Sequence, residues 1–333
     1  MLPGEGILVI RPNRREWGPV IAAAICCAWT RQWFGRSDWA SHSRTLTTDE
    51  LSNLPVPSPA HRDVSQLAEL VNKAGRLAGT GREIVEQVRG AVALHLEDVP
   101  SGSLSENFAW IPDLAAIQGW GWADAQRHWV RDRAQWRIRS LKPLCDVVNL
   151  GASHRKTVVW RTGVRVLQMD DLRPDWYLVV PAGRHVRHGA HTEPTIGDRA
   201  SRRFFEADRE CLLIPTVGDI TGEPLVLPEI VTRAQAAPLL IPIHWLPLAG
   251  LRYPRALAVV LDHPFVRLQR RLAGSFSTVT HITRDDVENL LVPSPPEDTW
   301  QAWESELRRA QDMFMAAADL VRQAVATVEE WYK

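Results

Sequence analysis

Residues 47–59 read Thr-Thr-Asp-Glu-Leu-Ser-Asn-Leu-Pro-Val-Pro-Ser-Pro, and residues 283–295 read Thr-Arg-Asp-Asp-Val-Glu-Asn-Leu-Leu-Val-Pro-Ser-Pro. Eight of the thirteen positions are identical, at one offset of 236 residues. A repeat at fixed spacing constrains architecture more than local propensity does, because each copy must fold as the same supersecondary unit.

The offset continues both ways without gaps. Backwards, Trp17 falls on Tyr253, Ile21 on Leu257, Ile25 on Leu261 and Arg31 on Arg267. Forwards, Leu67, Val71, Ala74, Ala78, Gly81, Val85, Val88, Val92 and His95 fall on Trp303, Leu307, Ala310, Phe314, Ala317, Val321, Ala324, Val328 and Trp331. These spacings alternate four and three, the seam of a helix that packs along its length. Each unit therefore reads as a helix (17–34 in the first copy), a short loop, a strand or turn, the Val-Pro-Ser-Pro corner and a long helix. Leu67, Val71, Val85, Val88, Leu307, Phe314, Val321 and Val328 are the expected helix-packing positions.

Proline fixes φ, lacks a donor and keeps the preceding residue out of the helical region, so Pro-Ser-Pro makes a stiff extended lead into the long helix. Asp63 and Glu69, and Glu297, Asp298 and Glu304, fall around the first turns, where the helix dipole favours acids. Gly75, Gly79, Gly81 and Gly90 weaken the first long helix. Gly81, on the seam, either permits close helix approach or is a flaw.

The net charge is zero but unevenly spread. Residues 101–281 hold 23 Lys+Arg against 17 Asp+Glu, and residues 282–333 hold 5 against 11. A basic globular part beside an acidic helix suits a polyanion on one face and a protein partner on another; chance segregation is the alternative. Lysine occurs only at 73, 142, 156 and 333, leaving 35 arginines. Arginine clamps phosphate and guanine bidentately, although a GC-rich genome gives the same bias.

The cysteines (Cys26, Cys27, Cys145, Cys211) form no Cys-x-x-Cys pair, and read as buried thiols of a cytoplasmic protein. Residues 19–29 imitate a signal core but are too short to span a bilayer. Their repeat partner contains Asp262 and His263 in mid-chain, which argues against export.

Between the copies, Pro100-Ser-Gly-Ser-Leu-Ser is a linker, the stretch from Trp110 is tryptophan-rich, and Trp120, Trp122, Trp129 and Trp136 read as core or interface anchors rather than base-stacking platforms. A short helix is expected near 141–150. Strand-like stretches follow at 157–160, 164–168, 176–181, 211–217, 224–227 and 238–243, without regular βαβ alternation. The fold class is mixed α/β (α+β) with long antiparallel coiled-coil helices.

The stretch from Gly274 through Ile282-Thr-Arg-Asp-Asp-Val-Glu-Asn-Leu-Leu-Val-Pro-Ser-Pro295, followed by a long helix, resembles the end of a target-recognition domain in specificity subunits of Type I restriction–modification enzymes. The first copy, Leu46 to Pro59, resembles it again. The resemblance implies a non-catalytic DNA-recognition subunit that directs a partner DNA methyltransferase, with or without a nuclease or translocase, in restriction or antiviral defence. It divides the chain into a partial recognition domain (1–59), a first spacer helix (60–99), a complete recognition domain (100–295) and a second spacer helix (296–333). Family members carry two full domains, so the short first module departs from the pattern. No cofactor is expected on this chain; S-adenosylmethionine would sit in the partner methyltransferase.

Catalytic signatures are missing from the sequence. It has no methyltransferase tetrapeptide, since Ser294-Pro-Pro-Glu297 lacks the aromatic that stacks a flipped base. Neither a phosphate-binding Gly-x4-Gly-Lys loop, a His-Glu-x-x-His helix nor a Gly-x-Ser-x-Gly elbow occurs.

DNA-contact candidates concentrate in residues 154–203, with ten Lys+Arg, five acids and four histidines. They are Arg155, Lys156, Arg161, Arg184, His185, Arg187, His188, Arg199, Arg202 and Arg203. Phosphate contacts would make affinity salt-dependent, and a few arginines would read guanine. A solvated surface charge is the alternative for each. His185, His188 and His191 suggest zinc by number. Flanking Arg184 and Arg187, and the lack of acid or thiol ligands nearby, favour a basic loop against DNA. A second reading, an assembly protein that bridges partners without reading DNA, remains open.

Overall fold

In the computed structural model the described residues are 10–27, 30, 49, 52–57, 61–95, 137–141, 165–166, 174–175, 178–179, 204–207, 209–218, 220–228, 239–242, 245–274 and 281–333. They form helices α1 (Trp17–Cys26), α2 (His61–His95), α3 (Pro254–Asp262), α4 (Pro264–Ala273), α5 (Arg284–Glu288) and α6 (Glu297–Trp331). The strands are β1 (Arg137–Ser140), β2 (Arg165–Val166), β3 (Pro174–Asp175), β4 (Leu178–Val179), β5 (Phe204–Ala207), β6 (Cys211–Pro215), β7 (Leu225–Leu227), β8 (Leu239–Pro242), β9 (Trp245–Ala249) and β10 (Leu291–Ser294). The architecture is thus mixed helix and strand with small sheets. Two compact units divide the chain, residues 1–81 with 312–333, and residues 82–311, so α2 and α6 each contribute to both.

The offset of 236 residues recurs in the backbone. Helices α2 and α6 are both 35 residues long, and their first residues, His61 and Glu297, lie one offset apart. Helix α1 ends at Cys27, where the chain turns extended (φ −67°, ψ 151°) and the N–H donates to Ala24 O at 3.2 Å. Helix α3 ends at His263 (φ −59°, ψ 140°), with its N–H on Val260 O at 3.1 Å. The continuous helix expected over 17–34 is therefore interrupted at Cys27. In the second copy Pro264 supplies the cause, since a residue before proline avoids the helical region. In the first copy the Thr30 hydroxyl donates to Ala24 O at 2.5 Å, competing for a terminal carbonyl.

Before each corner an asparagine makes the same pair of bonds. Asn53 donates from its backbone N–H and its side-chain Nδ2 to Asp49 O, at 3.1 and 2.9 Å. Asn289 does so to Asp285 O, at 3.1 and 2.8 Å. In the second copy Thr283 and Asp286 close a capping box on α5.

Unit one has a helical core. Val20, Ala23, Ala24 and Cys27 of the α1 segment pack with Val64 and Leu67 at the start of α2, and with Ala324 and Val328 at the end of α6. Along α2, Leu67, Ala74, Val85, Val88 and Val92 are buried; along α6, Trp303, Leu307, Ala310, Phe314, Ala317, Ala324 and Val328 are. Gly81 is buried too, and α2 runs unbroken through its glycines. Val321 departs from the expected seam, being 40% exposed, while Val71 is half-buried. The α1 cluster reaches Ala324, and Val321 lies one turn beyond it, where no described residue of that cluster covers the helix.

Among the described residues, unit two carries three sheets. A five-stranded sheet has the order β3-β4-β7-β6-β9, a three-stranded one β2-β8-β5, and β1 pairs antiparallel with β10 alone. The five residues of β6 and three of β7 are fully buried, and α3, buried at every position, lies against both strands. Gly218 (φ 82°) and Gly250 (φ 71°) turn the chain in a region that side chains disfavour. Strands β2, β4, β6, β7 and β8 fall in expected stretches. Strands β1, β3, β5, β9 and β10 lie outside them, and 157–160 and most of 141–150 lie outside the described residues.

Candidate functional site

The repeated corners are where helix meets module. In the second, the N–H of Leu141 donates to Leu290 O at 2.8 Å, continuing the β1–β10 register in which Arg139 faces Val292 and Ile138 faces Pro293. Antiparallel positions alternate between bonded and non-bonded pairs. Leu290 and Val292 thus point their backbone groups at β1, while Leu291 and Pro293 point theirs away. Pro293 loses no ladder bond by lacking an N–H. Leu291, facing outward, has both groups met by the buried Gln269 side chain: its N–H donates to Oε1 at 2.8 Å, and its carbonyl accepts from Nε2 at 2.9 Å.

In the first corner Pro55 stands at the position of Leu291. Having no N–H, it needs one donor instead of an amide, and the Tyr332 hydroxyl donates to Pro55 O at 2.8 Å. Burial, chiefly, raises the Tyr332 phenol above its ordinary pKa, while a hydrogen bond with Thr30 pulls it down. The amide and the hydroxyl play matched parts, and the sequence position corresponding to Gln269 is Trp33.

A buried ion cluster fixes α3 to α6 in unit two. The Arg255 side chain is about 5% exposed, and donates from Nε to Gln311 Oε1 at 2.7 Å. Its terminal nitrogens reach Glu304 Oε1 at 2.7 Å and Glu210 Oε2 at 2.5 Å. Burial alone would lower the guanidinium pKa, but hydrogen bonds and charge from Glu210 and Glu304 outweigh it and raise the value. The second oxygen of Glu304 accepts from the N–H groups of Arg255 and Ala256, at 2.9 and 3.0 Å. Glu304 was expected to serve the dipole of its own helix; it is buried further along α6 and caps the first turn of α3 instead. The corresponding first-copy positions are Pro19, Ala68 and Gly75, so this cluster has no counterpart there.

The end of α3 is also tied. Asp262 pairs with Arg267 (Nε to Oδ1, 2.6 Å) and with Arg89 of α2 at 3.3 Å. Burial, opposed by Asp262, lowers the His263 pKa to about 4, and its Nδ1 accepts from the Phe265 N–H at 3.3 Å, capping α4. One offset before His263 stands Cys27, and one offset after Arg89 stands Val325. There the Cys27 thiol contacts Ala23 O at 3.3 Å and Val325 O at 3.7 Å, and burial first pushes its pKa up to about 12. At the start of α3, Tyr253 stacks on Trp300 (6.2 Å between centroids), which meets Trp303 edge-on at 5.8 Å. Glu297 accepts from the Tyr253 hydroxyl at 2.5 Å and pairs with Arg252.

The candidates Arg155, Lys156, Arg161, Arg184, His185, Arg187, His188, Arg199, Arg202 and Arg203 all lie outside the described residues, as does His191. Among the described residues no group of three or more His, Cys, Asp or Glu is placed to hold a metal, and no helix is long and apolar enough to cross a membrane. The joint residues Gln269, Arg255, Glu304, Asp262 and Tyr332 were missed by sequence reasoning. A signal existed for two of them, because a buried-helix pattern around 254–262 that contains Arg255 and Asp262 demands partners.

Comparison with known families finds no matching family model, and no curated protein matches the sequence. Among solved structures the chain is similar to the HsdS subunit from Thermoanaerobacter tengcongensis, with TM-score 0.29 and 14% identity, over 94% of this chain and 69% of that one. Likeness at this level carries no structural inference.

Proposed function

We propose that the chain is a DNA-recognition subunit that directs a partner methyltransferase, and is not itself an enzyme. The observation that carries this reading is the duplicated unit: short helix, asparagine-closed turn, proline corner and 35-residue helix, repeated at one offset around a sheet-bearing module. Such a unit is a spacer with a joint, suited to holding a reader at a set distance from a partner. In this reading residues 100–295 form the complete recognition domain and residues 1–59 a partial one. The helices 60–99 and 296–333 are antiparallel spacers, and the basic stretch 154–203 lies on DNA. S-adenosylmethionine belongs to the partner.

The test is salt-dependent DNA binding by the chain co-purified with its methyltransferase. Reversing Arg184, Arg187, Arg202 and Arg203 to Glu is expected to weaken DNA binding and flatten its salt dependence, with the complex intact. Unchanged binding at every salt concentration would rule the reading out.

A further inference from the structure

The two long helices share length and register but not stiffness. Helix α2 holds Gly75, Gly79, Gly81 and Gly90, whereas α6 holds no glycine. At the offset of 236 residues these glycines fall on Gln311, Met315, Ala317 and Ala326, all ready helix formers. Three of the four lie within residues 75–81, and the first stretch of unit one ends on Gly81. They share no face: Gly81 is buried, Gly79 half-buried and Gly75 exposed. Packing does not ask for glycine at 75 or 79, since an added Cβ at either meets nothing within 4 Å. Relative to alanine each glycine disfavours the helix about four- to fivefold, so three in one stretch weaken it roughly a hundredfold.

On either side of this stretch α2 is held. Val64 and Leu67 belong to the unit-one core, and past Gly81 the side chains of Ile84, Val85, Val88 and Val92 are buried. Arg89 also pairs with Asp262 at 3.3 Å. Two bodies joined by two helices cannot tilt toward one helix without shortening its path relative to the other. A helix without glycine or proline curves only gently, so the difference falls on the helix whose backbone opens more readily. We propose that Gly75–Gly81 is a yielding joint: α6 carries the linkage between the units as a stiff rod, and α2 opens locally to take up the difference. A few small residues that absorb a change of backbone angle between anchored elements are what a hinge requires. The joint rests on the two helices alone and is independent of DNA reading.

The test uses the full chain and two readouts. Amides 79–85, which close on the carbonyls of 75–81, are expected to exchange about tenfold or more faster than amides 315–321 of α6. Changing Gly75 and Gly79 together to Ala is expected to slow exchange at 79–85 by about ten- to thirtyfold. Spin labels at the exposed positions Gln66 in unit one and Asp285 in unit two report the distance between the units. The spread of that distance should narrow in the double variant. Gly90→Ala, which also fills open space but lies away from the boundary, should leave both readouts as they are. Three results would overturn the joint: exchange at 79–85 as slow as at 315–321, a spread that the double variant leaves unchanged, or equal narrowing by Gly90→Ala. Exchange in the unaltered chain decides even where a variant fails to fold.

Discussion

Gln269 and Leu291 exchange two hydrogen bonds, side-chain amide to backbone, at 2.8 and 2.9 Å. The amide acts as a one-residue strand on the outer edge of the proline corner. Gln269→Leu orphans both backbone groups and is expected to cost ~2–4 kcal/mol in urea denaturation. Gln269→Glu keeps the acceptor and loses the donor, so it should also destabilise. Equal stability of Gln269→Leu and the parent would show that the clasp contributes nothing.

The ion cluster predicts a specific non-additivity. Arg255→Met leaves Glu304 and Glu210 facing a hole in their charge balance, at a cost of ~3–5 kcal/mol. Adding Glu304→Gln removes the buried charge yet retains an oxygen for the N–H groups of Arg255 and Ala256. The double variant should therefore be more stable than Arg255→Met alone, measured as a double-mutant cycle.

How much of this was legible beforehand depended on periodicity. The 236-residue offset and the four-three spacing placed α2, α6 and their buried seam, because burial of one helix face imposes that pattern on sequence. Val321 broke the pattern, since seam spacing says nothing about what covers each level. The joints were less legible. Gln269 and Tyr332 act on a backbone that only the folded chain brings near them, and the exchange of Leu291 for Pro55 has meaning only once the edge is known. Arg255 and Asp262 inside an apolar run signalled buried partners but not which residues those partners are. Strand β1 and its pairing with β10 were missed because a proline-containing tetrapeptide pairs with a segment about 150 residues away, a contact no local pattern encodes.

Glycine substitutions in α2 should stabilise the chain. An added Cβ at Gly75, Gly79 or Gly90 meets nothing within 4 Å. Each change to Ala is expected to add about 0.5–1 kcal/mol by restricting the unfolded chain, raising the thermal midpoint. A fall at any of the three would mean that an uncounted surface packs there.

His263 should make stability fall in acid. Its folded pKa is lowered to about 4, so between the ordinary value of 6.5 and about 4 the unfolded chain binds a proton that the folded chain refuses. The contribution is full above pH 6.5, declines as pH drops, and is lost by about pH 4, with a ceiling of ~3 kcal/mol because the imidazole is only partly enclosed. His263→Asn retains a side-chain acceptor for the Phe265 N–H and should flatten this part of the profile relative to the parent. Parallel profiles would assign the acid loss elsewhere.

The most direct measurement of the proposed role is a map of methylated sites left by the co-purified methyltransferase, with the chain present, absent, or carrying Arg184, Arg187, Arg202 and Arg203 all changed to Glu. The expected result is a defined site with the chain, and loss of that site without it or with the altered chain. An identical site map in all three samples would contradict a role in DNA recognition.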